Sequence, residues 1–270
     1  MRPLSALRPK VLCPVANLPL IDWAIARTSP VCSAVAVNAH AHADAMRSHF
    51  EGRHVHLSVE PEPLGTAGAL GALRGWLDGR PVLVVNGDTW CSAPLDALTE
   101  GWDGGHVRVL TLGGDGDGGA DLALHPRSRI IASLLPAAVA ASLPAEPLGL
   151  YEGVWRARAA TGELETCHWR GPFVDCATVS DYLAANLAAL DLLAGGWQLA
   201  PVGALARLGM PAPGPGRGEG GATIERSAVG EGASVAGLLR DSVVWPGARV
   251  AAGERLVRAV RTDSLTVLVR

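Results

Sequence analysis

Residues 81–88 read PVLVVNGD, and this run restricts the fold more than any other stretch of the chain. Val82, Leu83, Val84 and Val85 are apolar and mostly β-branched, which favours an extended strand with no polar residue on either face. A strand of that kind is expected to be covered on both sides. Asn86, Gly87 and Asp88 then turn the chain at its C-terminal end. Similar runs recur. CSAVAVNA (32–39) reads as a buried strand, AHADAMRSHF as a helix, VHLSVE (55–60) as a strand, ALGALRGWL (69–77) as a helix and VRVLTL (107–112) as a strand. Strands alternating with helices predict an α/β fold with a doubly wound, mainly parallel sheet. Ligands of such sheets bind beyond the C-terminal strand ends, where Glu60 and Asn86-Gly87-Asp88 both lie.

Between residues 113 and 172 the pattern weakens. GGDGDGGAD (113–121) reads as a flexible acidic turn, and AAVAASLPAEP has no clear period. FVDCATVSDYLAANLAALDLLAG (173–195) is a short extended piece, a turn and a helix, with Thr178 or Ser180 as its N-cap.

A different grammar follows. WQLAPVGALARLGMPAPGPGRGEGG (197–221) grows rich in Pro and Gly, and its later half reads as an inter-domain linker. Beyond it apolar residues recur six apart, at Val229 and Val235, then Leu238, Val244, Val250 and Leu256. That period, with small residues at the corners, predicts a left-handed parallel β-helix with three hexapeptides to each coil. Two coils cannot stand alone and must pack on the first domain or on another subunit. The expected division is 1–196, a linker at 197–221 and a β-helix at 222–270.

The bulk numbers exclude several classes. Apolar residues make up 49% and charged ones 18% of 270, so the chain can bury a substantial core. Lys and Arg total 23 against 26 Asp and Glu, a net charge of −3, which points to no nucleic-acid or membrane partner. Five cysteines without a CxxC pair suggest neither a disulfide framework nor a zinc site. No apolar run reaches the length of a membrane span and the N-terminus carries no signal-like segment, so a cytoplasmic protein is expected. His40 and His42, and His54 and His56, are two apart, but no third ligand accompanies them, and solvated faces are the simpler reading.

EPEPLGTAGAL (60–70) lies between a strand and a helix. Its run of small residues suits close backbone approach to a ligand at a helix N-terminus. A glycine-rich turn without a ligand would look the same, so this stretch alone leaves both readings open.

Taken together, these segments resemble the sugar-1-phosphate nucleotidyltransferases. RPLSALRPKVLCPVANLPLIDWAI (2–25) resembles the family's entry segment, EPEPLGTAGAL its nucleobase loop, VVNGD its metal-binding strand end and FVDCATVSDYLAAN its Asp-x-Gly-Thr-Pro segment. The closing hexapeptides are similar to the β-helix tail of many members, and the loop is similar to that of mannose-1-phosphate guanylyltransferases. The resemblance implies a Rossmann-like nucleotidyltransferase domain. It implies a reaction in which a sugar 1-phosphate attacks the α-phosphorus of an NTP and releases pyrophosphate. It assigns phosphate neutralisation to Lys10 and an Mg²⁺ ion to Asp88 and Asp175. It assigns the nucleotide to Glu60, Pro63, Leu64, Gly65, Thr66, Asn86 and Gly87, and the sugar phosphate to Gly149. Without it, Asp88 and Asp175 would also read as turn residues and Lys10 as a solvated lysine. A carboxylate at Glu60 accepts hydrogen bonds and donates none, which suits the guanine edge, whereas glutamine would suit uracil or thymine. GTP and mannose 1-phosphate are therefore the expected substrates, with Glu62 as the competing carboxylate.

The chain also departs from the family. A first strand and a Gly-Gly-x-Gly-Thr-Arg loop are expected before Arg2-Pro3-Leu4, and a start assigned too far downstream explains their absence. Without that strand its neighbours would keep unpaired backbone. No Glu-Lys-Pro precedes LGLYEGVW (148–155), which resembles a Gly-Ile-Tyr strand; the nearest preceding cations are Arg127 and Arg129. Ala177 and Val179 stand where the family has Gly and Pro. These departures keep a second reading open: a degenerate nucleotide-sugar-binding subunit that regulates an active paralogue through its β-helix. A homo-oligomer through the same coils is the other assembly expected. A hexapeptide acyltransferase fits poorly, since no histidine lies among the coils.

Overall fold

The computed structural model of the chain describes residues 1–113, 129–200, 204–218 and 221–270. Past Gly113, the 113–121 turn lies outside the described residues, as does Arg127. Contacts divide the chain into two compact units: Met1–Arg27, Gly87–Ser92 and Pro172–Arg270 make one, and Thr28–Asn86 and Ala93–Gly171 the other. Both boundaries suggested by the sequence, after 196 and 221, fall inside the first unit. Among the described residues, the strands up to residue 200 are β1 Pro14–Val15, β2 Leu18–Pro19, β3 Val35–Ala39, β4 Val55–Val59, β5 Val82–Val85, β6 Thr89–Cys91, β7 Val107–Leu112, β8 Ile130–Leu135, β9 Leu164–Trp169 and β10 Phe173–Asp175.

In the second unit β3 and β4 pair in parallel, from Val35 with Val55 to Ala39 with Val59. The crossover between them is the helix Ala43–Phe50, whose Met46 and Phe50, four apart, are buried. The other strands form a sheet in the order β5-β8-β7-β9. There the expectation of a mainly parallel sheet is corrected: β8 runs antiparallel to both β5 and β7, and only β7 and β9 are parallel. The strand responsible, IIASLL, sits in the weakly patterned middle region and lies between β5 and β7. β5 is corrected too. Despite its apolar run it is the edge strand of this sheet and only half-buried at all four positions. β3 likewise pairs only with β4, so β3 and β5 each keep an edge that meets no described strand.

LGLYEGVW is not a strand either. Residues 150–160 are helical, with a wide turn over Tyr151–Trp155. Leu150 and Val154, one helical step apart, both enter a core with Leu70, Leu77, Leu135 and Val139. Tertiary burial of that pair, not strand propensity, decides the conformation.

The first unit begins with the β1–β2 hairpin, whose turn residues Ala16 and Asn17 have φ of 44° and 67°. The helix Leu20–Thr28 follows, and Trp23 from it packs edge-on to Trp90 at 5.8 Å and stacks on Trp197 at 6.1 Å. The long helix Val179–Ala194 is capped by Thr178 in a reciprocal capping box with Asp181, so Thr178 and not Ser180 is the N-cap.

The C-terminal residues form three narrow parallel ladders. Thr223–Glu225 pairs with Leu238–Arg240 and that with Arg255–Val257; Ala228–Val229 pairs with Val243–Val244 and that with Ala259–Arg261; Ser234–Val235 pairs with Arg249–Val250. The repeat is shorter than three hexapeptides. Ile224 lies beside Leu239 and Leu239 beside Leu256, steps of 15 and then 17 residues. Corners turned by Arg226 and Asp241 in the left-handed conformation, φ 44° and 46°, take up fewer residues. The phase therefore slips by one, and Leu239 rather than Leu238 is the fully buried residue.

Candidate functional site

In the first unit β10 pairs antiparallel with β6, setting Asp175 opposite Thr89. Asp88 immediately precedes Thr89, so one short ladder brings two carboxylates that are far apart in sequence to the same end. Lys10 opens a one-turn helix, Lys10–Leu12, behind Pro9. Its Nζ lies 3.0 Å from Asp88 Oδ2 and 3.5 Å from Asp175 Oδ1. The lysine side chain is 25% exposed and the carboxylates 49% and 60%, so the cluster is open to solvent on its acidic side. Partial burial alone would lower the Lys10 pKa, but Asp88 and then Asp175 outweigh it and hold the ammonium charged above its ordinary range. One signal within the sequence went unread: Lys10 is the only lysine among 23 basic residues, every other one being arginine. A compact point charge stands where a planar fork stands everywhere else.

Two departures from the expected motif prove mild. Ala177 is not among the residues of positive φ, so glycine's left-handed freedom is not called on there. Val179 is the first residue of the long helix, the place where proline would only have pre-set φ. Gly87 is tightly placed, since a Cβ on it would lie 2.5 Å from Ile21 Cδ1.

In the second unit Glu60 is 5% exposed. Its Oε1 accepts from Asn38 Nδ2 and its Oε2 from the Leu64 N–H, each at 3.2 Å. Glu62, Pro63 and Thr66 are exposed, and so is Asn86. Glycine at 65 is required on two counts: φ is +67°, and a Cβ would sit 2.7 Å from the Leu148 carbonyl oxygen. What approaches this loop is the chain itself. Leu148 N–H donates to Leu64 O at 2.8 Å, and Leu148 O accepts from Ala67 and Gly68 N–H at 3.0 and 3.2 Å. Leu64 and Gly65 thus stand beside the segment that carries Gly149, and two N–H groups of the helix Gly65–Ala72 are already taken. Asn38 and Leu148 were missed from the sequence. Asn38 is the lone polar residue of VAVNA, which was its only mark; a backbone contact like that of Leu148 leaves none.

His40, His42, His54 and His56 are all exposed, as expected from the sequence, though three of them also have a local setting. His40 Nδ1 is 3.2 Å from the Glu60 carbonyl, His42 precedes the Ala43–Phe50 helix with φ 57°, and His56 stacks on Trp76 at 5.4 Å. Among the described residues no group of three or more His, Cys, Asp or Glu side chains could cage a metal. None of the five cysteines is in a disulfide. No described helix is long and apolar enough to cross a membrane.

Comparison with known proteins matches residues 4–166 to the family described as the MobA-like NTP transferase domain. A mannose-1-phosphate guanyltransferase of Emericella nidulans is 34% identical over 109 residues, covering 37% of this chain and 30% of the relative. An N-acetylmuramate alpha-1-phosphate uridylyltransferase of Neisseria meningitidis is 37% identical over 95 residues, covering 33% of this chain and 41% of the relative. The chain spans less than half the length of these curated relatives. A solved structure from Bacillus anthracis, assigned as a glucose-1-phosphate thymidylyltransferase, superposes with a TM-score of 0.59 at 18% identity, over 70% of this chain and 89% of that one. At that identity the likeness is one of fold.

Proposed function

The chain belongs to the MobA-like NTP transferase family, and from that premise we propose that it joins GTP to mannose 1-phosphate, releasing pyrophosphate. The observation that carries this reading is the single ammonium of Lys10 within reach of both Asp88 and Asp175. A sugar phosphate oxygen attacks the α-phosphorus and pyrophosphate leaves, so two anions have to be brought together and their charge offset. Lys10 has three N–H donors; two point at the carboxylates and the third is left for a phosphate oxygen.

Asp88 and Asp175 suit Mg²⁺, which takes one or two protein carboxylates and completes its shell with water and phosphate oxygens. Both are half-exposed or more, leaving room for that shell. When bound, the ion supplies charge neutralisation at the phosphates. Glu60 reads the base with the lone pairs that Asn38 and Leu64 leave free. Pro63, Leu64, Gly65, Thr66, Asn86 and Gly87 line the nucleotide, and Gly149 the sugar phosphate. The C-terminal coils form a left-handed β-helix through which like subunits or a paralogue associate, in the cytoplasm.

Pyrophosphate release from GTP and mannose 1-phosphate with Mg²⁺ tests the reading. Asp88→Asn and Asp175→Asn are each expected to slow it by roughly 10²-fold or more. No release with any NTP and sugar phosphate pair overturns it. The second reading, a binding subunit without turnover, is favoured by the Ala67 and Gly68 N–H groups already engaged by Leu148. It predicts nucleotide-sugar binding with no release.

A further inference from the structure

One residue of the C-terminal coils holds both ends of the segment that carries Lys10. Upstream, the Arg8 guanidinium lies over the Trp245 ring, 5.0 Å from its centroid. Downstream, Trp245 Nε1 donates to Tyr182 Oη at 3.0 Å, and that hydroxyl donates in turn to the Pro14 carbonyl. Asn186, one turn along the same helix, accepts from the Ala16 N–H at 2.9 Å. Trp245 is 4% exposed and Tyr182 fully buried, so the downstream hydrogen bonds have no competing water, while Arg8 at the upstream anchor is part-exposed. Lys10 lies between the two anchors.

We propose that Trp245 is a positioning residue for Lys10, so that the C-terminal coils serve the phosphate site directly. The inference rests on Lys10 being the group that faces phosphate. Asp88 and Asp175 are placed by the β6–β10 ladder, which does not involve Trp245. Lys10 sits on a single three-residue turn, too short to hold its own direction. Any slack between the anchors therefore moves the ammonium and leaves the carboxylates in place. The tie between Arg226 and Asp191 of the long helix lies well along the chain from Arg8 and Pro14. A second coil contact, Asn17 Nδ2 donating to the Val229 carbonyl at 2.9 Å, falls just past the downstream anchor and leaves the upstream one to Trp245.

Because Lys10 is the sole lysine, limiting acetic anhydride followed by peptide mapping reads its freedom directly, with the α-amino group mapped separately. Arg8→Gln removes the upstream anchor, Trp245→Phe keeps the ring and removes the donor, and Trp245→Leu removes both. Acetylation of Lys10 is expected to be faster in each than in the wild type and fastest in Trp245→Leu. The rise is roughly threefold or more, the factor by which a part-exposed ion pair protects the amine. Arg226→Ala, which loosens the coils elsewhere, is expected to lower Tm and leave Lys10 at its wild-type rate. An equal rise in Arg226→Ala, or no rise in folded Arg8→Gln and Trp245→Phe, overturns the proposal; these two variants decide the matter if Trp245→Leu does not fold. Absence of pyrophosphate release in the wild type would sink the enzymatic reading and leave this order of reactivities intact.

Discussion

Gly65 and Leu148 touch so closely that a Cβ on the glycine would lie 2.7 Å from the leucine carbonyl oxygen. One turn on, a Cβ on Gly68 would meet the Glu146 carbonyl at 2.1 Å. Small residues here admit a neighbouring strip of backbone, and the loop is built by that contact. Gly68→Ala is expected to cost about 2–3 kcal/mol, because backbone rather than a flexible side chain has to move. Gly75→Ala, with nothing within 4 Å, is expected to gain about 0.5–1 kcal/mol in the same unit. Urea unfolding of the two variants checks the contrast.

The Glu60 carboxylate accepts from two donors and has none of its own. Glu60→Gln turns one end into a donor that faces either Asn38 Nδ2 or the Leu64 N–H, at a cost of about 1–2 kcal/mol. Adding Asn38→Asp supplies an acceptor for the new amide and is expected to restore most of the loss. A double-mutant cycle by thermal unfolding measures the recovery; two additive losses would show that the pair does not act together.

Thiol reactivity should follow burial. Burial pushes Cys13 and Cys176 up to about 12, and Cys91 is buried as well. At pH 8 a disulfide reagent is expected to modify the part-exposed Cys32 and Cys167 first, with the other three reacting only on unfolding. Mass mapping over a time course reads the order.

Arg226 donates to both oxygens of Asp191, and this holds the carboxylate below its usual range. A folded-state pKa below the unfolded one stabilises in full above about pH 4 and is lost as pH falls through the folded value. Arg226→Ala is thus expected to lower stability by up to about 1 kcal/mol at pH 7, since the pair is half-exposed. The gap between variant and wild type should close below about pH 3. An undiminished gap there would place the effect in packing.

Which parts of this molecule could be read from the sequence follows from range. The strands at 55–59 and 107–112 and the Thr178 cap were legible, because each rests on period or on a neighbour three residues away. The six-residue period after residue 222 pointed to short strands there, but not to the 15- and 17-residue steps between them. Lys10, Asp88 and Asp175 were picked out by motif, and the sequence determined their chemistry: one ammonium, two carboxylates. That they meet was decided by a ladder pairing residues more than eighty positions apart, which no local pattern encodes. Tertiary structure likewise decided that IIASLL reverses the sheet, that LGLYEGVW coils to bury Leu150 and Val154, and that Leu148 occupies the glycine loop. Side-chain period tells a segment which face to hide. Only the neighbours that arrive from elsewhere in the chain decide what covers that face, and so where a charge ends up.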